Sequence, residues 1–440
     1  MNELNVTQLI TDAQTATNND QYALATDLYQ VFLSQTTPQT DDETINEQRM
    51  QALAELGRLL LLLGNPTEAL AYYEQYYLEA GTSQHAVYAL IHIGNHHNQT
   101  GNQQKARHAL HEALELASAL NFTAGRAQAL SGLGSLHQNI GQNDEAIGYL
   151  DQAFALAEQI GDIRSQTQTL SRIAFARYYL GQIDQTISAM NRLLLLARQN
   201  NLSDEVILAL NNLGECHQTL YDTQRALAYH QEGWFLAETL GIPHLQADLT
   251  RNLGVNFLQL GDHARGTHYL YTALALNDEF KILTIRLQTL YNLALAEIEH
   301  GNPQQGFHHA QTLLQQAEQH THHGHVADAH YALGLYYAQH QQLPTAHKHW
   351  QQSLFIAQDA DRRQLLWRLH AALAQTIDTP ALAQVHQRMA QETINQILYP
   401  LQDEQLKQTF LSAPPIKTIL APPTNIKSSP ATTQPALLLR

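Results

Sequence analysis

The chain is 440 residues long, 44 % apolar and 15 % charged, with a formal charge of −16. That length exceeds one ordinary globular core and calls for several domains or a repeat array. With only six lysines there is no basic stripe for a nucleic acid, and the most apolar run, residues 59–63, is far too short to span a membrane.

The opening Met1-Asn2-Glu3-Leu4-Asn5 has neither a basic region nor an apolar core of the kind a targeting signal needs. Cys216 is the only cysteine, which excludes a disulfide framework. A soluble protein in the reducing cytoplasm is expected. Residues 4–17 and 20–34 read as a helical hairpin, because Ala25, Tyr29 and Phe32 recur on one helix face. A polar linker at 35–42 follows, and Thr40 with Glu43 three residues on predicts a capping box. Residues 1–47 thus form a degenerate N-terminal hairpin and its linker.

From 48 to 360 one template recurs eight times. Leu210-Asn211-Asn212-Leu213-Gly214 is matched 40 residues later by Thr250-Arg251-Asn252-Leu253-Gly254, and again by Leu290-Tyr291-Asn292-Leu293-Ala294. The step is 37 between the first two units and 40 thereafter. Each unit reads as an A helix with a small residue near its middle, a turn, and a B helix with its own small residue. The turn residues are Gly64, Gly101, Gly141, Gly181, Tyr221, Gly261, Gly301 and Gln341. Antiparallel helices approach closely only where side chains are small, so Gly214 and Ala226 are expected at a crossing point. Asn65-Pro66 and Asn302-Pro303 each predict an N-cap followed by proline at the first helical position. A lone hairpin cannot bury its apolar face, so neighbours must stack.

Past 360 the template stops. Residues 362–375 and 381–401 read as helices, and 403–420 as a short packed helix and turn, so 361–420 is expected to cap the open end of the array. Residues 421–440 are rich in Pro, Ser and Thr, hold no acidic residue, and read as a disordered tail.

The Leu-Gly of helix A, the glycine turn, and the Ala of helix B with an apolar residue four later resemble the tetratricopeptide-repeat family. The 40-residue step resembles the longer-helix variety of kinesin light chain and of bacterial sensor and regulator proteins. The resemblance implies an all-α fold, a right-handed α-solenoid of stacked hairpins whose A helices line a concave groove. It also implies a scaffold or adaptor that binds a protein or peptide there, or alternatively a regulatory sensor for a signalling peptide or small ligand. The residues around Phe410–Leu411-Ser412-Ala413-Pro414 resemble the ends of repeat regions attached to bacterial regulators.

In that groove the residue two before the small A-helix position gives a row: Glu55, His92, Gly132, Arg172, Asn212, Asn252, Asn292 and Ala332. An asparagine amide both donates and accepts, as a peptide backbone does. O-GlcNAc transferase is similar in carrying an asparagine row for its peptide. Asn212, Asn252 and Asn292, flanked by Arg172 and Arg251, are therefore the expected peptide contacts; the bland alternative is that these amides bond within the repeats. Phe175, Tyr179 and Tyr291 add aromatic surface or, equally, core. The carboxylate clamp of chaperone-tail-binding repeats is not matched, since its positions hold Ser171, Asn211, Arg251 and Tyr291.

Histidine is abundant, 25 in all, and His320, His322, His323, His325 and His330 crowd one inter-repeat loop. No cysteine lies near them and no metalloprotease spacing occurs, so a compositional origin is expected rather than a metal site. Cys216 and His217 diverge on a helix by about 100° and do not make a catalytic dyad. No phosphate loop, dinucleotide fingerprint or nucleophile elbow is present. The expected protein has no catalytic residue and no cofactor.

Overall fold

The computed structural model describes residues 3–421 except 39, 360 and 361. The tail expected to be disordered lies, from 422 on, outside the described residues. The fold is an all-α solenoid, and among the described residues there are 22 helices and no strand. The chain divides into two compact units, residues 1–180 and 181–440.

Unit 1 holds α1 (Glu3–Asn18), α2 (Tyr22–Gln35), α3 (Glu43–Leu62), α4 (Pro66–Ala80), α5 (Gln84–Gln99), α6 (Gln103–Ala119), α7 (Thr123–Asn139), α8 (Asn143–Gln159) and α9 (Ile163–Tyr179). Each helix packs on its neighbour in sequence, and α3, α5, α7 and α9 also pack on one another in turn. These A helices therefore form the inner face of the stack. The A helices meet their B helices through glycine. A Cβ on Gly57, Gly94 or Gly134 would stand 2.4, 2.6 or 2.6 Å from Tyr73, Leu110 or Leu150, each sixteen residues further on. The large B-helix side chain fills the place a small A-helix residue leaves free.

The N-terminal hairpin is tied to the array by a buried charge. Arg49 of α3 donates to Glu79 of α4 at 2.6 and 2.8 Å, to Leu33 O at 2.9 Å and to Thr36 O at 2.7 Å. The cap of α3 differs from the expected capping box. Asp42 Oδ1 accepts from Thr44 N at 2.9 Å and Ile45 N at 3.3 Å, while Thr40 N donates to Asn46 Oδ1 at 2.9 Å. The carboxylate one residue before the helix is the better acceptor for its free N–H groups.

Unit 2 holds α10 (Ile183–Gln199), α11 (Ser203–Thr219), α12 (Thr223–Leu240), α13 (Pro243–Gln259), α14 (His263–Phe280), α15 (Leu283–His300), α16 (Pro303–Gln319), α17 (His323–Gln339) and α18 (Leu343–Asp359). It continues with α19 (Arg363–Thr376), α20 (Pro380–Leu398), α21 (Glu404–Ser412) and α22 (Pro414–Leu420). The same glycine device recurs. Gly214 faces His230 and Gly334 faces Trp350, both at 2.2 Å from a built Cβ, and Gly254 faces Leu270 at 2.8 Å. The predicted caps divide here as well. Asn302 caps α16, accepting from Gln304 N at 3.0 Å, but Asn65 makes no side-chain bond to α4.

The A–B turns enter the left-handed region, with φ of 81° at Gly261 and 60° at Tyr221. Glycine takes that conformation freely, whereas tyrosine is strained by about 1–2 kcal/mol. Gly301 departs from the pattern with φ of −116°. There Glu297 Oε2 accepts the Asn302 N–H at 2.7 Å and turns the chain instead.

The C-terminal helices reach further than the repeat next to them. Phe410, Ile416, Ile419, Leu406, Ile394 and Trp367 share one apolar cluster with Ile183, Cys216 and Leu220. Asp184 Oδ2 accepts the N–H of Gln402 and, at 3.0 Å, that of Asp403. Arg225 donates to Gln405 at 3.2 Å. Unit 2 therefore curls until its last helices fasten to the turn edge of its first ones.

Candidate functional site

In unit 1 the row read from the sequence lines two successive clefts on the inner face. Glu55 and His92 line the first, of ≈ 640 Å³, together with Gln14, Tyr29, Arg58, Tyr76 and Tyr88. Its outer wall is α1, so the degenerate hairpin shapes the site. Arg58 donates to Glu55 at 2.7 Å, His85 bridges Glu47 at 2.8 Å and Tyr76 at 2.9 Å, and His92 stacks on Tyr73 at 4.8 Å. Burial lowers the pKa of His92 and keeps its ring neutral.

Gly132 and Arg172 line the second cleft, of ≈ 200 Å³, with Asn95, Gln128, Ser131, Gln168 and Thr169. Gly132 opens it, because a Cβ there would meet Leu110 at 2.6 Å and Asn95 at 3.2 Å. Three amides, the Ser131, Ser165 and Thr169 hydroxyl side chains and an exposed guanidinium line this space. Phe175 and Tyr179, expected as aromatic contacts, are 54 % and 58 % exposed with ring centroids 4.6 Å apart, one and two helical turns past Arg172.

In unit 2 the asparagine ladder behaves differently. Asn252 and Arg251 were expected to face a ligand, and both are buried. Asn252 Nδ2 donates to Asn211 Oδ1 at 2.9 Å and Glu215 Oε1 at 3.2 Å. Arg251 pairs with Asp248 at 2.7 Å and Glu215 at 2.9 Å, and Asn211 Nδ2 donates to Asp248 at 3.0 Å. These carboxylates on neighbouring A helices draw the amide and the guanidinium into the seam between repeats. Burial, reinforced by the Asp248 charge, raises the Glu215 carboxyl pKa. Asn212 and Asn292 are half-buried, and Asn212 Nδ2 lies 3.9 Å from Met190 Sδ. Tyr291 is half-buried against the core cluster of α17 and α19. The seam continues through His230, whose Nε2 donates to Asn211 O at 3.2 Å and whose Nδ1 accepts from Asn256 at 2.7 Å.

Cys216 is buried and its thiol is pushed up to about 12 by burial, so it carries no thiolate at neutral pH. His217 bonds Asp222 at 3.0 Å instead. In the histidine-rich region His325 pairs with Asp328 at 3.1 Å and His330 with His349 at 2.9 Å. Among the described residues no three metal-ligating side chains converge, and no helix is long and apolar enough to cross a membrane.

Stacked antiparallel helix pairs with an inner face of A helices define a helical-repeat solenoid. Tetratricopeptide-repeat models match residues 51–78 and 86–159. Among solved structures it is similar to a Rap protein complexed with Competence and Sporulation Factor, at 15 % identity and a TM-score of 0.59, over 80 % of this chain and 99 % of that one. A Rap conjugation gene regulator of the plasmid pLS20, in complex with the Phr* peptide, aligns at 15 % identity and 0.55, over 81 % and 98 %. Aspartyl phosphate phosphatase F from Bacillus subtilis aligns at 12 % and 0.54, over 81 % and 95 %. At these identities the likeness is one of fold. No curated protein sequence matches the chain.

Proposed function

We propose that this protein is a cytoplasmic adaptor that holds an extended peptide segment of a partner on the inner face of unit 1. One observation carries the reading: Asn95, Gln128, Ser131, Gln168 and Arg172 line one cleft and have no side-chain hydrogen bond to another described residue. Amides and hydroxyls with unspent capacity suit the main chain of an extended peptide. The adjoining cleft, with Arg58, Glu55 and tyrosines, would select its side chains. Asn212 and Asn292 of unit 2 remain open to solvent in part and offer amides of the same kind.

A displayed library of linear peptides tests this. Wild type should enrich binders whose affinity falls at least tenfold when Gln128→Trp fills the second cleft, and little when Phe235→Ala alters an exposed ring on α12. Enrichment of no sequence, or binders indifferent to Gln128→Trp, refutes the reading. A sensor role is the second reading, supported by the likeness to two peptide-complexed Rap structures. It requires that a bound peptide change the small-angle scattering of the chain.

A further inference from the structure

The first cleft of unit 1 has a chemistry that the peptide reading leaves unnamed. Five successive helices wall it. Gln14 comes from α1, Tyr29 from α2, Glu55 and Arg58 from α3, Tyr76 from α4, and Tyr88 and His92 from α5. Its volume of ≈ 640 Å³ lies in the range of sites that enclose a small ligand or a side chain with its stem. Aromatic rings from three helices thus share one cleft with a carboxylate.

The hydrogen-bond inventory gives the sign of the occupant. Glu55 Oε2 accepts both bonds from Arg58, from Nε at 2.9 Å and from Nη2 at 2.7 Å. Glu55 Oε1 has no partner among the described residues, and neither ring nitrogen of His92 has one. A second carboxylate stands close by, since His85 in the same cleft bonds Glu47 at 2.8 Å. No lysine lines the cleft, and its one guanidinium is already held by Glu55. An anion entering here would meet a free carboxylate oxygen and the negative faces of aromatic rings. A cation is attracted by both.

Charge along the chain is an independent observation. Residues 1–80 carry twelve acidic side chains against two basic ones, Arg49 and Arg58, and so hold ten of the chain's sixteen net negative charges. Arg49 is buried on Glu79. The helices that wall the cleft therefore set up a negative field, which concentrates cations at its mouth.

We propose that this cleft binds an organic cation, a guanidinium or ammonium group on an aliphatic stem, with Glu55 as its charge partner and Tyr29, Tyr76 and Tyr88 around it. The stem belongs to a basic side chain of a bound peptide, in which case the inference rests on the peptide reading above, or to a free polyamine.

The test is isothermal titration of the full chain at physiological ionic strength, where attraction to the acidic surface at large is screened. The probes are a short capped alanine peptide with one central arginine, the same peptide with citrulline in its place, and spermidine. Arginine should bind about tenfold more tightly than citrulline, which keeps its shape and lacks its charge. Binding of the arginine peptide alone names a basic side chain as the source, binding of spermidine alone names a free polyamine, and binding of both supports the shared cation. Glu55→Gln should abolish binding. Asp27→Asn, which removes the same charge from an exposed position of α2 outside the cleft, should leave it intact. Arg58→Gln frees Glu55 Oε2 and should tighten binding severalfold. No binding of arginine or spermidine, equal loss in Glu55→Gln and Asp27→Asn, or weaker binding by Arg58→Gln overturns the proposal. So does equal binding of arginine and citrulline without binding of spermidine, a comparison that needs no variant to fold. Gln128→Trp lies in the second cleft and should leave these titrations unchanged, so failure of the peptide reading and failure of this one are told apart.

Discussion

His230 offers a direct test of the buried seam, through its protonation. The side chain is fully buried, sits over Gly214, and bonds at both ring nitrogens as a neutral imidazole. Burial first, and then the charge of Arg251, lower its pKa to about 3. In the unfolded chain a histidine titrates near 6.5. The folded pKa is the lower one, so the unfolded state binds the extra proton below pH 6.5. Stability from this residue is complete above about pH 6.5 and is lost as the pH falls toward 3. At about 1.4 kcal/mol per unit, the loss between pH 7.5 and pH 5 is about 2 kcal/mol. His230→Leu should remove that loss, and leucine fits, because Leu270 fills the same position over Gly254. At pH 7.5 the variant should be less stable by about 1–2 kcal/mol, since Asn256 loses its acceptor. Trp234, Trp350 and Trp367 are the only tryptophans and all lie in unit 2, so urea unfolding followed by tryptophan fluorescence reports on that unit. Other buried histidines titrate alike in both proteins and cancel in the difference. Parallel losses for wild type and variant between the two pH values would refute the reasoning.

The glycine device predicts that Gly334→Ala, whose Cβ would stand 2.2 Å from the Trp350 indole, destabilises unit 2 by about 1–3 kcal/mol in the same urea assay. Adding Trp350→Leu should recover part of that. Arg49→Met strands Glu79 and two carbonyls, at about 3–5 kcal/mol. Limited proteolysis should then cut between α2 and α3, where wild type resists, and peptide binding at the first cleft should fall with the loss of its α1 wall. Asp184→Ala frees the Gln402 and Asp403 N–H groups, and the chain should become cleavable between α20 and α21 with α1–α9 left intact on mass spectrometry.

The hairpin array is legible in the sequence because its packing rule is local. A glycine in helix A and a large residue sixteen positions later belong to one hairpin, so the pair recurs at every step, as at Gly94 with Leu110 and Gly254 with Leu270. The row on the inner face is legible for the same reason, and in unit 1 it lines both clefts. Depth within the row is not. Asn252 and Asn212 share a phase, but only Asn252 has Asn211 and Glu215 from the neighbouring A helix within bonding distance. Asp248 and Arg251 form an i, i+3 ion pair, but Arg58 and Glu55 form the same pair on an open cleft, so the spacing alone does not report depth. The cap at Asp42 was obscured by a run of Thr40, Asp41 and Asp42, any of which can accept. The amphipathic spacing of Leu406, Phe410, Ile416 and Ile419 announced a buried face. Its partners, Ile183, Cys216 and Leu220, lie about 200 residues earlier, where no local pattern connects them.

That long-range closure sets an order of events at the ribosome. Unit 1 can assemble hairpin by hairpin as the chain emerges, each new pair covering the last. In unit 2 the edge formed by Ile183, Cys216 and Leu220 is covered in full only when α19–α22 are in place, and its contact from Asp184 to Gln402 spans 218 residues. At about 5–20 residues per second of synthesis, the wait is about 10–40 s. Throughout it an apolar edge faces solvent, open to chaperones and to neighbouring nascent chains alike. A message broken before the codon for Glu404 yields a product that lacks Leu406, Phe410, Ile416 and Ile419 and leaves this edge only partly covered.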